Sequence, residues 1–266
     1  MQRSFTDQLG RTMQFSFPPK RIVSVVPSQT ELLFELGLDN EVVGLTRSCI
    51  HPIAKFAARV KVGDPKMLDL AKIRSLQPDL ILAGKEENRR GELSQLADEF
   101  PVWTSDVATL EHAMTMIASV GSIVDREPEA SYLNHLLQAG FSDLQSLAAQ
   151  QKIDKKVIYL VGNYPYIAAG RDTFISDLLV RNGLRNVAGK HRYIHLDITT
   201  IRETDPDIVM LASIPYPFRQ EHLEELQRQL PGVQVMLVDG ELFSWYGSGL
   251  IKSVQYLFQL QQKLRS

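Results

Sequence analysis

The sequence predicts an α/β protein of two lobes, each with a parallel sheet flanked by helices, bridged by one long helix. Three observations predict this. Short β-branched runs alternate with helical stretches along most of the chain, the pattern of strands joined by crossover helices. A motif of the first half returns in the second at one fixed offset. Leu68-Asp69-Leu70, Arg74 and Pro78-Asp79-Leu80 are matched by Leu196-Asp197-Ile198, Arg202 and Pro206-Asp207-Ile208. Such a repeat is best explained by two halves of one architecture. Between the halves the pattern is purely helical. The expected organisation is an N-terminal lobe over 1–108, a helical linker with the bridging helix over 109–152, and a C-terminal lobe over 153–266.

Taken in order, Gly10-Arg11 turns a small hairpin with Met13, Phe15 and Phe17 on one face, and Pro18-Pro19 ends it. Ile22–Val26 is a buried strand that Pro27 stops. Ser28 or Thr30 caps the helix that follows, with Glu31 in its first turn and Gly37 at its end. Residues 41–46 form a second strand, leading into the loop Arg47–Pro52. Asp69 reads as an N-cap, with Leu68 and Ile73 at the positions of a hydrophobic staple. Asp79–Ala83 is the next buried strand, followed by the loop 84–88, a helix around Leu93 and Leu96, and a strand at Val102-Trp103. Leu110, Met114, Ile117, Val120 and Val124 then mark one helix. Leu133 to Leu147 mark a second, with Pro128 near its start, where proline is tolerated. The pattern restarts with a strand over 157–161, the loop Gly162–Tyr166, and a helix from Thr173 to Asn182-Gly183. Val233–Val238 is the last strand, Asp239–Gly249 its loop, and a helix through Leu250, Val254, Leu257 and Leu260 closes the chain.

The totals exclude several classes. A net charge of −2 gives no bulk attraction for nucleic acid. A single cysteine, Cys49, rules out an intramolecular disulfide and fits a reducing compartment without requiring one. No apolar run reaches signal-peptide or membrane-spanning length, so the chain as written carries no export signal and a cytoplasmic location stays open. There is no P-loop, no Gly-x-Ser-x-Gly and no His-Glu-x-x-His. The Gly-x-Gly of Tyr246–Gly249 lacks a nucleotide-binding context. Cys49 and His51 share a loop, but no third group completes a catalytic set and no second cluster shows zinc spacing.

What stands out is the content of the strand-end loops. Tyr164, Tyr166, Tyr193, Tyr216, Phe218, Phe243, Trp245 and Tyr246 all fall there, where small polar residues are usual. Aromatics so placed suggest walls for a large, partly flat ligand in a cleft. His51, Lys85, Arg171, His191 and His195 are candidate polar or metal contacts.

The stretch RIVSVVPSQTELLFELGL, followed by VVGLT, LDLAKIRSLQPDLILA and its repeat LDITTIRETDPDIVMLA, resembles the cluster III substrate-binding proteins of ABC importers, also called helical-backbone metal receptors. Within them the likeness is closest to the cobalamin binders, and it covers residues 20–262. The resemblance implies two lobes bridged by a rigid helix, no enzymatic activity and no intrinsic cofactor. It implies a metal chelate between the lobes: a cobalamin-like corrinoid, haem or a ferric siderophore. It further implies a monomer, a periplasmic or cell-surface location, and docking of both lobes on a permease. Pro27 and Ser28 match the family's first cleft turn, and Gly170 the matching turn of the second lobe. Ser48 and His51 match positions where cobalamin binders present tyrosines, and Tyr193 and Phe243 match cleft tryptophans. His51 becomes a candidate axial ligand to the metal. The ligand-binding set is then Pro27, Ser28, Ser48, Cys49, His51, Lys85, Tyr164, Tyr166, Tyr193, Phe243, Trp245 and Tyr246. The family's docking glutamates are replaced by Ala71 and Thr199, with Asp69 and Glu203 nearby. Two other readings stay open. One is a free-metal receptor using His51, His191, His195 and Glu241. The other is a cytoplasmic chelate carrier or enzyme on the same fold.

Overall fold

The computed structural model describes residues 1–264 of the chain. By contacts it divides into two compact units. The first is Met1–Val107 with Glu111–Leu136 and Tyr246–Gly249; the second is Ala108–Leu110 with Leu137–Trp245 and the chain from Leu250 onward.

The first unit opens with an antiparallel hairpin, β1 (Gln2–Thr6) and β2 (Thr12–Ser16). Gly10 makes its turn at φ +79°, a left-handed conformation that favours glycine. Then follow β3 (Ile22–Ser24), α1 (Pro27–Glu35), β4 (Val42–Leu45), α2 (Ile53–Ala57), β5 (Val60–Lys61), the short pair β6 (Gly63–Asp64) and β7 (Met67–Leu68), α3 (Leu70–Ser75), β8 (Leu80–Gly84), α4 (Arg90–Ala97) and β9 (Val102–Ser105). The sheet runs β5-β4-β3-β8-β9 and is parallel throughout, as the sequence predicts. Every strand therefore ends on one edge, and the chain reverses its direction of winding at β3. That is the place where open parallel sheets bind ligands.

At that switch the sequence reading needs correction. Pro27 does not stop a strand; it is the first residue of α1, with Val26 as N-cap and no side-chain cap. Pro at this position loses no helical hydrogen bond. The Thr30 hydroxyl reaches back instead to the Val26 carbonyl (3.0 Å) and to Ser24 Oγ (2.7 Å). Glu31 lies beyond the first turn.

After α5 (Leu110–Ile123), the chain enters α6 (Glu127–Gln151), whose 25 residues extend about 38 Å. The second unit continues with β10 (Lys156–Gly162), β11 (Tyr166–Ala169), α7 (Phe174–Arg181), β12 (Arg185–Asn186), β13 (Tyr193–Leu196), α8 (Ile198–Glu203), β14 (Ile208–Ala212), α9 (Gln220–Gln229), β15 (Gln234–Val238), α10 (Glu241–Ser244) and α11 (Leu250–Leu264). Its sheet order is β13-β11-β10-β14-β15, with β12 also on β10. Here β12, β10, β14 and β15 are parallel, as the sequence predicts, but the rest of the sheet is not. β11 runs antiparallel to both β10 and β13. The chain folds straight back after Gly162 through a loop too short for a helical crossover.

The internal repeat holds at the level of atoms. Asp69 accepts from Lys72 N (3.0 Å) to cap α3, and Asp197 accepts from Thr200 N (2.7 Å) to cap α8. Leu68 and Ile73 are buried in one core; Leu196 and Ile201 are buried in the other. Asp79 accepts from the backbone of Lys20 and Arg21, and Asp207 from that of Lys156, fastening β8 and β14 to the strands beside them. Replacing Asp69 with alanine is expected to cost about 1 kcal/mol of stability, while asparagine retains most of the cap. Urea denaturation midpoints at unchanged slope would measure both.

Candidate functional site

In the first unit, a loop leaves the carboxyl edge of the sheet after each strand. The β3–α1 turn carries half-buried Pro27 and buried Ser28. The loop after β4 runs from Thr46 to Pro52. Within it Ser48 is exposed and His51 is half-buried, but Cys49 is fully buried. The Cys49 thiol lies 3.1 Å from Thr30 Oγ1 and 3.0 Å from Thr46 Oγ1, and burial pushes its pKa up. Cys49 thus pins its loop from beneath and offers no thiolate to a ligand, contrary to the sequence expectation. What stands outward here instead is apolar: Ile50 in the loop, Ile53 at 74% exposure at the start of α2, and Met67 on β7. Sequence reasoning missed these three because isolated aliphatics in a loop carry no periodic signal. Lys85, after β8, is exposed and paired with Asp106 at 2.5 Å.

The loop Glu86–Asn88 and the segment Tyr246–Gly249 meet in the same unit. The Tyr246 hydroxyl donates to Glu87 Oε1, while Glu87 Oε2 is buried without a hydrogen-bond partner among the described residues. Gln29 Nε2 donates to Ser105 Oγ at 2.6 Å close by. Burial raises the Glu87 pKa, and burial together with the Glu87 charge raises that of Tyr246. Gly247, at φ +131°, lies against Ser28; a Cβ there would stand 2.9 Å from the Ser28 carbonyl oxygen. The Gly-x-Gly is therefore a close backbone approach, and Tyr246 is an anchor rather than a ligand wall.

In the second unit the edge is built from the loops after β10, β14 and β15. Tyr164 is 75% exposed, and its hydroxyl lies 3.4 Å from Glu225 Oε1. Tyr166 is half-buried at the start of β11, not in a loop. Tyr216 and Phe218 pack edge to face with His222, and Phe218 is core. Ile214 is exposed on the same loop, and Trp245 is half-buried at the end of α10. Phe243 is wholly buried, tilted against Tyr159 at 5.0 Å and edge-on to Tyr256 at 6.1 Å. It is a core residue and not a cleft wall. Tyr193 is 43% exposed, yet it pairs with Ala169, level with the middle of β10. Leu196, not Tyr193, reaches the carboxyl edge. Gly170 is required by packing: a Cβ there would meet the His191 carbonyl oxygen at 1.4 Å.

A family model described as periplasmic binding protein matches residues 22–236. The chain belongs to the periplasmic binding protein family. Members of this family bind their ligands rather than transform them, in keeping with the missing catalytic motifs. An uncharacterized ABC transporter substrate-binding lipoprotein, YvrC of Bacillus subtilis, is 30% identical over 72% of this chain. The chain spans 63% of that relative's length. Two solved structures share the fold at a TM-score of 0.81 and 19% identity. One is the periplasmic vitamin B12 binding protein BtuF of Vibrio cholerae, covering 94% of this chain and 100% of that one. The other is the petrobactin-binding protein YclQ of Bacillus subtilis, covering 100% and 99%.

Among the described residues no group of three or more His, Cys, Asp or Glu side chains comes together as a metal site. Within the second unit, His191, His195 and Glu241 therefore form no metal site of their own.

Glu87 gives this periplasmic binding protein a pH signature. With its pKa raised by burial, the native state keeps the proton longer than the unfolded chain does. The stabilisation is complete below about pH 4.3, the unfolded glutamate value, and is lost as pH rises through the elevated native value. Glu87→Gln is expected to flatten that decline, seen as melting temperature against pH. Tyr246→Phe removes the side-chain donor to Glu87 and is expected to destabilise by about 1–3 kcal/mol.

Proposed function

We propose that the chain is an extracytoplasmic substrate-binding protein that captures a metal chelate, a corrinoid before haem or a ferric siderophore, and delivers it to an ABC-type permease. The observation that carries this reading is the apolar and aromatic character of the carboxyl-edge loops. Ile50, Ile53 and Met67 in the first unit, and Tyr164 and Ile214 in the second, are exposed at the edge where open sheets hold ligands. Large apolar side chains gathered on exposed loops mark binding surfaces. They suit the faces and alkyl rim of a macrocycle better than a bare ion, which would need converging carboxylates or imidazoles. His51, half-buried in the same loop, is the candidate axial ligand, and Ser48, Tyr166 and Trp245 are candidate contacts.

Family membership supports capture rather than catalysis, and the lipoprotein relative supports a location outside the cytoplasm. The shared fold does not choose the ligand, since proteins named for vitamin B12 and for petrobactin match it equally well. For the permease, Ala71 and Thr199 occupy equivalent exposed positions on α3 and α8. Docking there would rest on the neighbouring Asp69 and Glu203.

Titration of the ligand-free protein with aquocobalamin and with haemin, followed by absorption and calorimetry, tests the reading. A saturable one-to-one complex with one of them is expected. Tyr164→Ala and Ile53→Ala should each weaken it about tenfold, the scale of one buried apolar side chain. A band shift lost in His51→Ala would assign the axial ligand. No heat and no spectral change with either chelate would reject the corrinoid and haem readings.

A further inference from the structure

Lys85 also lines a cavity beside α4 that the proposed ligand contacts do not include. The cavity, of about 390 Å³, lies on the first unit among α4, the ends of β8 and β9, and the turn of the N-terminal hairpin. That volume falls within the range of small-molecule sites. Its lining combines apolar Leu9, Leu93 and Ala97 with the cations Arg11, Lys85 and Arg90.

The cations are unequally engaged. Lys85 pairs with Asp106. Arg11 donates through Nε and Nη2 to Asp7 and through Nη2 to the Thr104 hydroxyl at 2.6 Å. Its Nη1 has no partner among the described residues, and its side chain is 46% exposed. Arg90 is exposed at the first position of α4 and has no ion pair among the described residues. Arg89 gives α4 no side-chain cap, so the partial positive charge of the helix end adds to that of Arg90. Asp98 is the one acidic residue in the lining. Donors and positive charge thus line a cavity that also offers hydrocarbon.

We propose that this cavity binds a small organic carboxylate. The carboxylate lies between Arg90 and Arg11, and its apolar body packs on Leu93 and Ala97. An inorganic anion would leave the apolar lining uncovered, and a neutral ligand would leave the guanidinium donors unmatched. Guanidinium is the side-chain group best shaped for a carboxylate.

Calorimetry of the full chain with benzoate, and with benzamide as its neutral counterpart, tests the site. Arg90→Gln and Ala97→Trp both fall on exposed positions of α4 and should melt like the parent. Benzoate is expected to bind one-to-one and at least tenfold more tightly than benzamide. Arg90→Gln should weaken benzoate about tenfold, and Ala97→Trp should abolish it by filling the cavity. Absence of saturable heat with benzoate overturns the proposal. So does equal affinity for benzamide, or benzoate affinity unchanged in either variant.

Discussion

Parallel pairing of β3 with β4 on one side and β8 on the other is the constraint on which the first unit depends. Parallel strands cannot be joined by tight turns, so each connection crosses over and each strand delivers its loop to the same edge. The chemistry of that edge follows from what the sequence places just after each strand. Pro27 starts a helix without interrupting it, Thr30 ties the helix back to the strand, and buried Cys49 holds the next loop down against the same threonine. Held from beneath, the loop shows its aliphatic residues outward. The second unit reaches a similar result by another path, with β11 folded back on β10 and aromatic or aliphatic residues after β10 and β14.

Core elements were legible because their patterns are redundant. The Leu68–Ile73 and Leu196–Ile201 staples, the two aspartate caps and the Pro-Asp pairs before β8 and β14 each say the same thing twice, 128 residues apart. Gly37 closes α1 at φ +80°, where the sequence placed the stop. The antiparallel β11 and β13 were not legible. Tyr166–Ala169 is only four residues long, and Tyr193–Leu196 reads as part of a polar loop. Helix α9 escaped notice because its turns are largely charged, and only Leu226 within it is buried.

The site was less legible than the fold for a physical reason. An aromatic residue in a loop after a strand can face solvent or the sheet, and one residue in a sequence does not say which. Tyr164 faces out; Phe243 turns in against Tyr159 and Tyr256. Tyr246 looked like a third wall residue, yet it donates to the buried carboxylate of Glu87, which has no other side-chain donor among the described residues. Lys85 follows β8 at the carboxyl edge, where it borders a cavity beside α4 with its charge shared with Asp106. In each case burial, which depends on packing from distant segments, decides the role.

Hydrogen–deuterium exchange with and without aquocobalamin would locate the ligand on this chain without any substitution. If the carboxyl-edge loops hold the chelate, peptides covering residues 46–53, 163–166 and 213–219 become slower to exchange in its presence, while β3, β8 and β10 stay as protected as before. Saturating aquocobalamin that leaves all three loops exchanging at their free rates would contradict the assignment of the edge as the binding surface.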